Sequence, residues 1–190
     1  MKKVLYINCT IREDSRTNRL AEAVLAHFNG DEITEVKLRE NNYHPLTEEE
    51  MKMRTAASES GIFDNAYFDA AKAFAESDII VIGAPYYDLS FPSNLKIYIE
   101  NITINNLTFS FQSDGSFKGL CKAEKLYYIT TAGGEIGKLN FGYDYIKALA
   151  LYMYGIKDCQ CIRAVGLDLM ENDPEFIVQN ALEGIKKMDI

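Results

Sequence analysis

A doubly wound α/β three-layer sandwich is the fold class that the sequence predicts, on three observations. Short apolar runs alternate with amphipathic stretches along almost the whole chain, so that five strand-like runs are each followed by a helical one. Such a rhythm implies parallel strands joined by helical crossovers. The third run, "IIVIGAP" at 79–85, is apolar throughout, as a strand covered on both faces must be, because neither side meets water. The chain has 190 residues, 47% hydrophobic and 12% aromatic, which suits one sizeable core in a single domain over 1–190.

Each element has its own signal. "KVLYINC" at 3–9 opens as a strand, and "TNRLAEAVLAHF" at 17–28 places Leu20, Ala23, Val24 and Phe28 on one helical face. Asn29-Gly30 stops that helix. "EITEVKL" at 32–38 alternates polar and apolar residues and so reads as a strand near a sheet edge. "LTEEEMKM" reads as a solvated acidic helix start capped by Thr47. "FDNAYFDAAKAFAESD" at 63–78 is the helix before the central strand, and "SNLKIYIENI" at 93–102 follows it, started by Ser93 behind Pro92. Residues 104–124 interrupt the rhythm with a hairpin-like excursion turning at Asp114-Gly115. "KLYYITTAGG" from 125 is a fourth strand, "GYDYIKALALYMYG" at 142–155 a helix and "CQCIRAVGLD" at 159–168 a fifth strand. "PEFIVQNALEGIKKM" at 174–188 closes the chain as a helix, with Pro174 in its first turn.

Lys+Arg number 20 against 28 Asp+Glu, a formal charge of -8. An acidic surface repels phosphate backbones and anionic lipid heads, which argues against nucleic acid and membranes as partners. No apolar run approaches the roughly 20 residues of a bilayer span, and "MKKVLYINCT" is too short in its apolar part for a signal peptide. A cytoplasmic location is expected. Cys9, Cys121, Cys159 and Cys161 lack metal-ligand spacing, and Cys159 and Cys161 read as buried strand thiols. His27 and His44, the only histidines, read as surface residues and give metal or triad chemistry little support.

Ligands of such sheets bind beyond the carboxyl ends of the strands, and three loops there are informative. "CTIREDSRTNRL" lacks Gly-x-Gly-x-x-Gly and a Walker lysine, against dinucleotide and P-loop readings. It offers the hydroxyls of Thr10, Ser15 and Thr17 with the amides of a helix N-terminus, which suits a phosphate monoester. Taken alone it is equally an ordinary helix cap; Glu13 and Asp14 oppose an anion, and Arg12 and Arg16 partly offset them. "APYYDLSFP" ends the central strand in Tyr86 and Tyr87, flat faces for a conjugated ring, with the amides of Asp88 and Leu89 near its edge. Two tyrosines packed over the sheet's end would look the same. "TTAGG" at 130–134 follows a strand with Gly133 and Gly134, which let backbone amides approach a ligand closely, or simply turn the chain. Together the loops suit one ligand with a phosphate at one end and a flat ring at the other, the shape of flavin mononucleotide (FMN). A phosphoacceptor receiver domain, suggested by Asp14, would need an aspartate ending the third strand, where this chain has Pro85-Tyr86-Tyr87.

The segment "PYYDLSFPSNLKIYIENI" at 85–102 resembles the P-x-Y-N-F-x-x-P-x-x-L-K-x-Y-I-D signature of flavin-dependent NADH-azoreductases, the acyl-carrier-protein phosphodiesterase-like family. Pro85, Tyr87, Pro92, Leu95, Lys96, Tyr98 and Ile99 match at the same spacing. "SRTN" at 15–18 is similar to that family's Ser-Gln-Ser-Asn phosphate loop, "TTAGG" to its Thr-Ser-Arg-Gly-Gly loop, and "FSFQSDGSFKGL" to the segment preceding that strand. The resemblance covers essentially the whole chain. It implies a flavodoxin-like three-layer sandwich, with a five-stranded parallel sheet and helices on both faces. It also implies FMN, NADH or NADPH as donor, quinones and azo compounds as acceptors, ping-pong kinetics, and a homodimer whose second subunit completes each site. Thr10, Ser15, Arg16 and Thr17 match its phosphate contacts; Tyr86, Tyr87, Asp88 and Leu89 match contacts on one side of the ring, and Thr131, Ala132, Gly133 and Gly134 those on the other. Asp88 stands where the family usually has Asn, Leu89 for a Phe, Ala132 where Arg is common, and Met153 near another usual aromatic.

Two function classes follow: an oxidoreductase with its own substrate pocket, and a one-electron carrier of the flavodoxin type. The excursion and the aromatic-rich helix "YDYIKALALYMY" favour the enzyme, since a dimer could enclose a pocket between them. Helices 93–103 and 141–154 also carry more apolar and aromatic residues than one sheet face is expected to cover, with Tyr98, Ile102, Tyr145, Tyr152 and Tyr154, as an obligate interface would.

Overall fold

Alternation along the central strands sorts their side chains onto two faces, and the helices follow. The computed structural model describes residues 1–190. Strands β1 (Lys3–Asn8), β2 (Glu32–Lys37), β3 (Ile79–Gly83), β6 (Lys125–Thr131) and β7 (Asp158–Ala164) form a sheet of order β2-β1-β3-β6-β7. All its pairings are parallel. Val4 and Tyr6, Ile79 and Val81, and Tyr127 and Ile129 point to one side, where α1 (Arg16–Leu25) adds Leu20, Ala21 and Val24 and α6 (Pro174–Lys186) adds Val178 and Ile185. Leu5 and Ile7, Ile80 and Ile82, and Leu126 and Tyr128 point to the other. There α3 (Asp69–Glu76) brings Phe74, α4 (Ser93–Ile102) brings Leu95, Tyr98, Ile99 and Ile102, and α5 (Tyr143–Leu149) brings Ile146. Burial of each such side chain contributes roughly 1.5–3 kcal/mol before entropy is counted.

The ends of the elements depart from the sequence reading where local chemistry intervenes. The first helix turns 3₁₀ over Ala26–Phe28 and stops where Gly30 takes φ 105. The segment read as one helix over 63–78 divides into a 3₁₀ turn, capped by the Asn65 side chain on the Tyr67 amide, and α3. Beyond its start, α2 (Glu48–Ser60) runs 13 residues, opened by a reciprocal Thr47–Glu50 capping box. Pro92, not a side chain, occupies the cap of α4. The helix after β6 ends in a π turn at Ala150–Tyr154. β2 is an edge strand, as its alternation implied. β7 is the other edge, and this corrects the reading of Cys159 and Cys161: both are half-buried.

The excursion forms an antiparallel hairpin, β4 (Phe109–Phe111) with β5 (Phe117–Gly119). It turns at Asp114-Gly115, where the Asp114 carboxylate accepts from the Ser116 amide and hydroxyl. Its base is pressed onto the end of the π turn: a Cβ at Gly119 would lie 2.2 Å from the Gly155 nitrogen. No helix is long and apolar enough to cross a membrane.

Candidate functional site

Four loops converge at the carboxyl end of the sheet around a cleft of about 990 Å³, counting the solvent at its mouth. Three are those expected from the sequence. Ser15, Arg16 and Thr17 open α1, Pro85, Tyr86 and Tyr87 follow β3, and Thr131, Ala132 and Gly133 end β6. The fourth, after β7, supplies Leu167 and Asp168; its one turn signal, Gly166 at φ 73, lies inside the run that the sequence presents as the fifth strand.

At one end of the cleft the Ser15 side chain caps α1, accepting from the Asn18 amide at 3.4 Å. The amides of Arg16 and Thr17, first in the helix, have no acceptor in the chain, as helix geometry dictates. With the positive end of the helix dipole they suit an anion. Thr17 is fully buried and its hydroxyl meets that of Thr131 at 2.6 Å, joining the first loop to the third. The charges lining this region are balanced: Arg12 and Arg16 against Asp14 and Asp168. Arg16 Nη1 donates to Asp168 Oδ1 at 3.4 Å.

Thr10, expected among the phosphate contacts, is buried behind the residues that line the cleft. Its amide and hydroxyl both donate to Asn8 Oδ1, at 2.9 and 2.7 Å. Asn8 also donates to Glu35 Oε1 at 2.8 Å and to Asn18 Oδ1 at 3.2 Å, and the Tyr6 hydroxyl donates to the same Asn18 oxygen at 2.7 Å. Burial, first, and nearby anionic groups hold the Tyr6 phenol well above its ordinary range, so it remains a donor. Asn8 and Asn18, which the sequence reading passed over, are the residues that fix the loop; a polar side chain at the end of a buried strand was the available signal.

At the other end, Tyr86 is tied by its amide to the Thr131 carbonyl at 2.9 Å and by its hydroxyl to the Leu139 carbonyl at 2.9 Å. Tyr87 and Ser90 exchange two backbone hydrogen bonds across Asp88 and Leu89, a two-residue hairpin turn. Both central residues are left-handed, Asp88 at φ 50 and Leu89 at φ 67. That is the conformation of a type I′ turn, ordinarily built from Asn and Gly, and it stores strain in Leu89. Asp88 and Leu89 lie outside the cleft wall, as does Gly134, while Tyr87 is 41% exposed beside the opening.

The third loop is latched to the fourth. Ala132 donates to the Ala164 carbonyl at 3.0 Å, and the Leu167, Asp168 and Gly166 amides donate to the carbonyls of Ala132, Gly133 and Gly134. A Cβ at Gly133 would sit 2.3 Å from Asp168 Oδ2, whereas one at Gly134 would meet nothing within 4 Å. Of the two glycines only Gly133 has a neighbour that a Cβ would displace, the exposed Asp168 carboxylate. The amides of Gly133 and Gly134 donate to no group of the chain.

The interface reading is corrected residue by residue. Tyr98, Ile102 and Tyr154 are buried in the chain's own core. Tyr145 packs on Phe91, ring centroids 5.6 Å apart, and only Tyr152 is broadly exposed, at 72%. Exposed apolar side chains gather instead beside the cleft, at Tyr87, Leu89, Leu139 and Phe141. Next to them Phe91, Phe141 and Tyr145 line an open apolar depression with Ser90 and Lys96.

An anion seat at one end and aromatic walls at the other fit FMN in their donor set. The chain is 31% identical over 199 aligned positions to an FMN-dependent NADH:quinone oxidoreductase of Coprothermobacter proteolyticus, covering 99% of this chain and 98% of that one. It is 32% identical over 198 positions to FMN-dependent NADH:quinone oxidoreductase 2 of Clostridium acetobutylicum, covering 98% of each. Its fold superposes with a TM-score of 0.81 and 21% identity on an FMN-dependent NADH-azoreductase of Bacillus anthracis crystallised with FMN, covering 98% of this chain and 96% of that one. Residues 2–188 match the family described as the flavodoxin-like fold, and the chain belongs to that family.

Proposed function

We propose that this chain is an FMN-dependent oxidoreductase that passes reducing equivalents from NADH to quinones and azo compounds. The observation that carries the reading is the cleft itself, with unpaired amides and Ser15 at the α1 terminus and Tyr86 and Tyr87 at the far end. The relatives similar over nearly the full length are named for that cofactor and reaction. An electron-carrier reading finds no such support. Ser15, Arg16 and Thr17 hold the phosphate; Tyr86 and Tyr87 flank the ring on one side, and Thr131, Ala132 and Gly133 on the other. Bound FMN supplies reversible two-electron chemistry. The residues orient the reactants and place the amides of Gly133 and Gly134 where they could meet negative charge. No general base is assigned, because the reaction needs orientation and charge stabilisation more than proton abstraction.

A homodimer belongs to the same reading. The exposed Leu89, Leu139 and Phe141 beside the cleft, continuous with the Phe91–Tyr145 depression, offer a second copy an apolar surface bordering the site. The four free cysteines suit a reducing cytoplasm.

The test is chromatography of the flavin released on heating, with steady-state reduction of a quinone and an azo dye by NADH. FMN and turnover with parallel double-reciprocal lines are expected. Release of FAD, or no flavin binding, overturns the cofactor assignment, and intersecting lines overturn the shared pocket. Monomer alone in light scattering at low micromolar concentration removes the second copy.

A further inference from the structure

Asp168 is an anomaly at an anion seat. Its carboxylate lies in the wall of the same cleft, within hydrogen-bond reach of the Arg16 guanidinium at the start of α1. The Asp168 backbone is anchored, the amide donating to the Gly133 carbonyl at 2.8 Å, and its Oδ2 lies in the space beside Gly133 Cα. The anchored backbone places one negative charge near where a second, on the ligand, would arrive. The pair is a surface one, Arg16 being 41% and Asp168 74% exposed at the side chain, so it is weak and readily exchanged.

We infer that Asp168 is a specificity-determining residue for flavin binding: it competes with the ligand's phosphate for Arg16, and so limits the preference for phosphorylated over unphosphorylated flavin. The inference rests on the phosphate lying at Ser15–Thr17. Binding of the phosphate exchanges the Arg16–Asp168 contact for an Arg16–phosphate contact and leaves Asp168 facing like charge. Both effects lower affinity for FMN, and neither touches riboflavin, which has the same ring and ribityl chain without the anion. A merely structural role for Asp168, as the latch on Gly133, would alter the two ligands alike.

Dissociation constants for FMN and for riboflavin, by quenching of flavin fluorescence, decide it in three proteins: unchanged chain, D168N and R16Q. D168N keeps the side-chain size and removes the charge. It should tighten FMN roughly three- to tenfold, leave riboflavin unchanged, and steepen the loss of FMN affinity with added salt. R16Q should erode the FMN preference. If R16Q erodes it while D168N leaves FMN affinity unchanged or weaker, the competition is refuted and the phosphate placement stands. Equal shifts for both flavins in D168N would also refute it. If R16Q leaves the preference intact, the phosphate is not at Arg16, and the inference falls with that placement. D168S, small and polar beside Gly133, must change FMN affinity in the same direction as D168N, or folding rather than charge explains the result.

Discussion

At the phosphate end of the cleft the loop after β1 is held from beneath by side chains, with buried Asn8 joining buried Thr10 to half-buried Asn18 and exposed Glu35. At the ring end the loop after β3 is held by its own backbone, in the paired bonds between Tyr87 and Ser90 across two left-handed residues. The first device is cooperative, since the buried polar groups of Asn8 and Thr10 satisfy each other and would otherwise be orphaned. The second is local and strained: side chains can change without loss of its hydrogen bonds, and its conformation is costly for Leu89. The two ends should therefore respond to substitution with opposite signs.

Asn8→Ala should give the largest effect. It strips the Thr10 amide and hydroxyl of their acceptor in a buried site, at roughly 1–3 kcal/mol, and frees the loop that presents Ser15. Chemical denaturation should show the loss, and flavin titration a weaker FMN affinity. Stability close to that of the unchanged chain would mean that water replaces the Asn8 contacts, and that the phosphate end is no more cooperative than the other.

Next in size is a pair at adjacent positions in the third loop. Gly133→Ala drives a methyl against the Asp168 carboxylate, 2.3 Å from its Oδ2, while Gly134→Ala enters open space. The first should cost about 1 kcal/mol and weaken FMN retention. The second should be silent in both measurements. Equal behaviour of the two would show that the latch between the third and fourth loops adds nothing to the site.

Much of this arrangement is legible in the sequence, because apolar periodicity reports burial directly. The unbroken run at Ile79–Gly83 is the central strand, and the alternation of Glu32–Lys37 marks an edge. Ser15, Thr17, Tyr86 and Thr131 come together as expected because each ends a strand or begins a helix at the same rim. What escaped depends on partners distant in the chain. Asn18 acquires its role only from Asn8 and Tyr6 on the strand before it, and Asp168 its meaning only from Arg16, 152 residues away. The turn at Asp88-Leu89 lacks the Gly or Asn that would announce positive φ. Tyr98 and Tyr154, apolar enough for an interface, are consumed by the chain's own core. Periodicity tells that a face is buried, but not against what.

Leu89→Gly should reverse the sign at the ring end. Glycine adopts φ 67 without steric penalty, and relief of left-handed strain should outweigh its unfolded-state entropy, for a gain of about 0.5–1 kcal/mol. The Phe141 amide keeps its bond to the residue 89 carbonyl, so the turn itself persists. A higher thermal midpoint is expected. A lower one would show that the half-exposed Leu89 side chain contributes more by packing than its backbone loses by strain.

The smallest effect lies behind the phosphate end, where Arg19 of α1 makes a two-pronged contact with Glu175 of α6 at 2.8 and 2.5 Å. Hydrogen bonding from Arg19, first, and from Gln179 holds the Glu175 carboxyl down at about 2. An unfolded chain returns it to about 4.3. The folded value is the lower one, so the stabilisation is complete above the unfolded value and is lost as pH falls through the folded one. Denaturation midpoints of the unchanged chain and of Glu175→Gln should thus differ modestly at neutral pH and converge between about pH 4.3 and about pH 2. Curves that stay parallel would mean that the pair carries no proton-linked stability, as many exposed pairs do not. The gain from Leu89→Gly is backbone strain with no titrating group in it, and it should persist unchanged across the same range. If that gain also faded with acid, the two ends of the cleft would be coupled, and the contrast between them would fail.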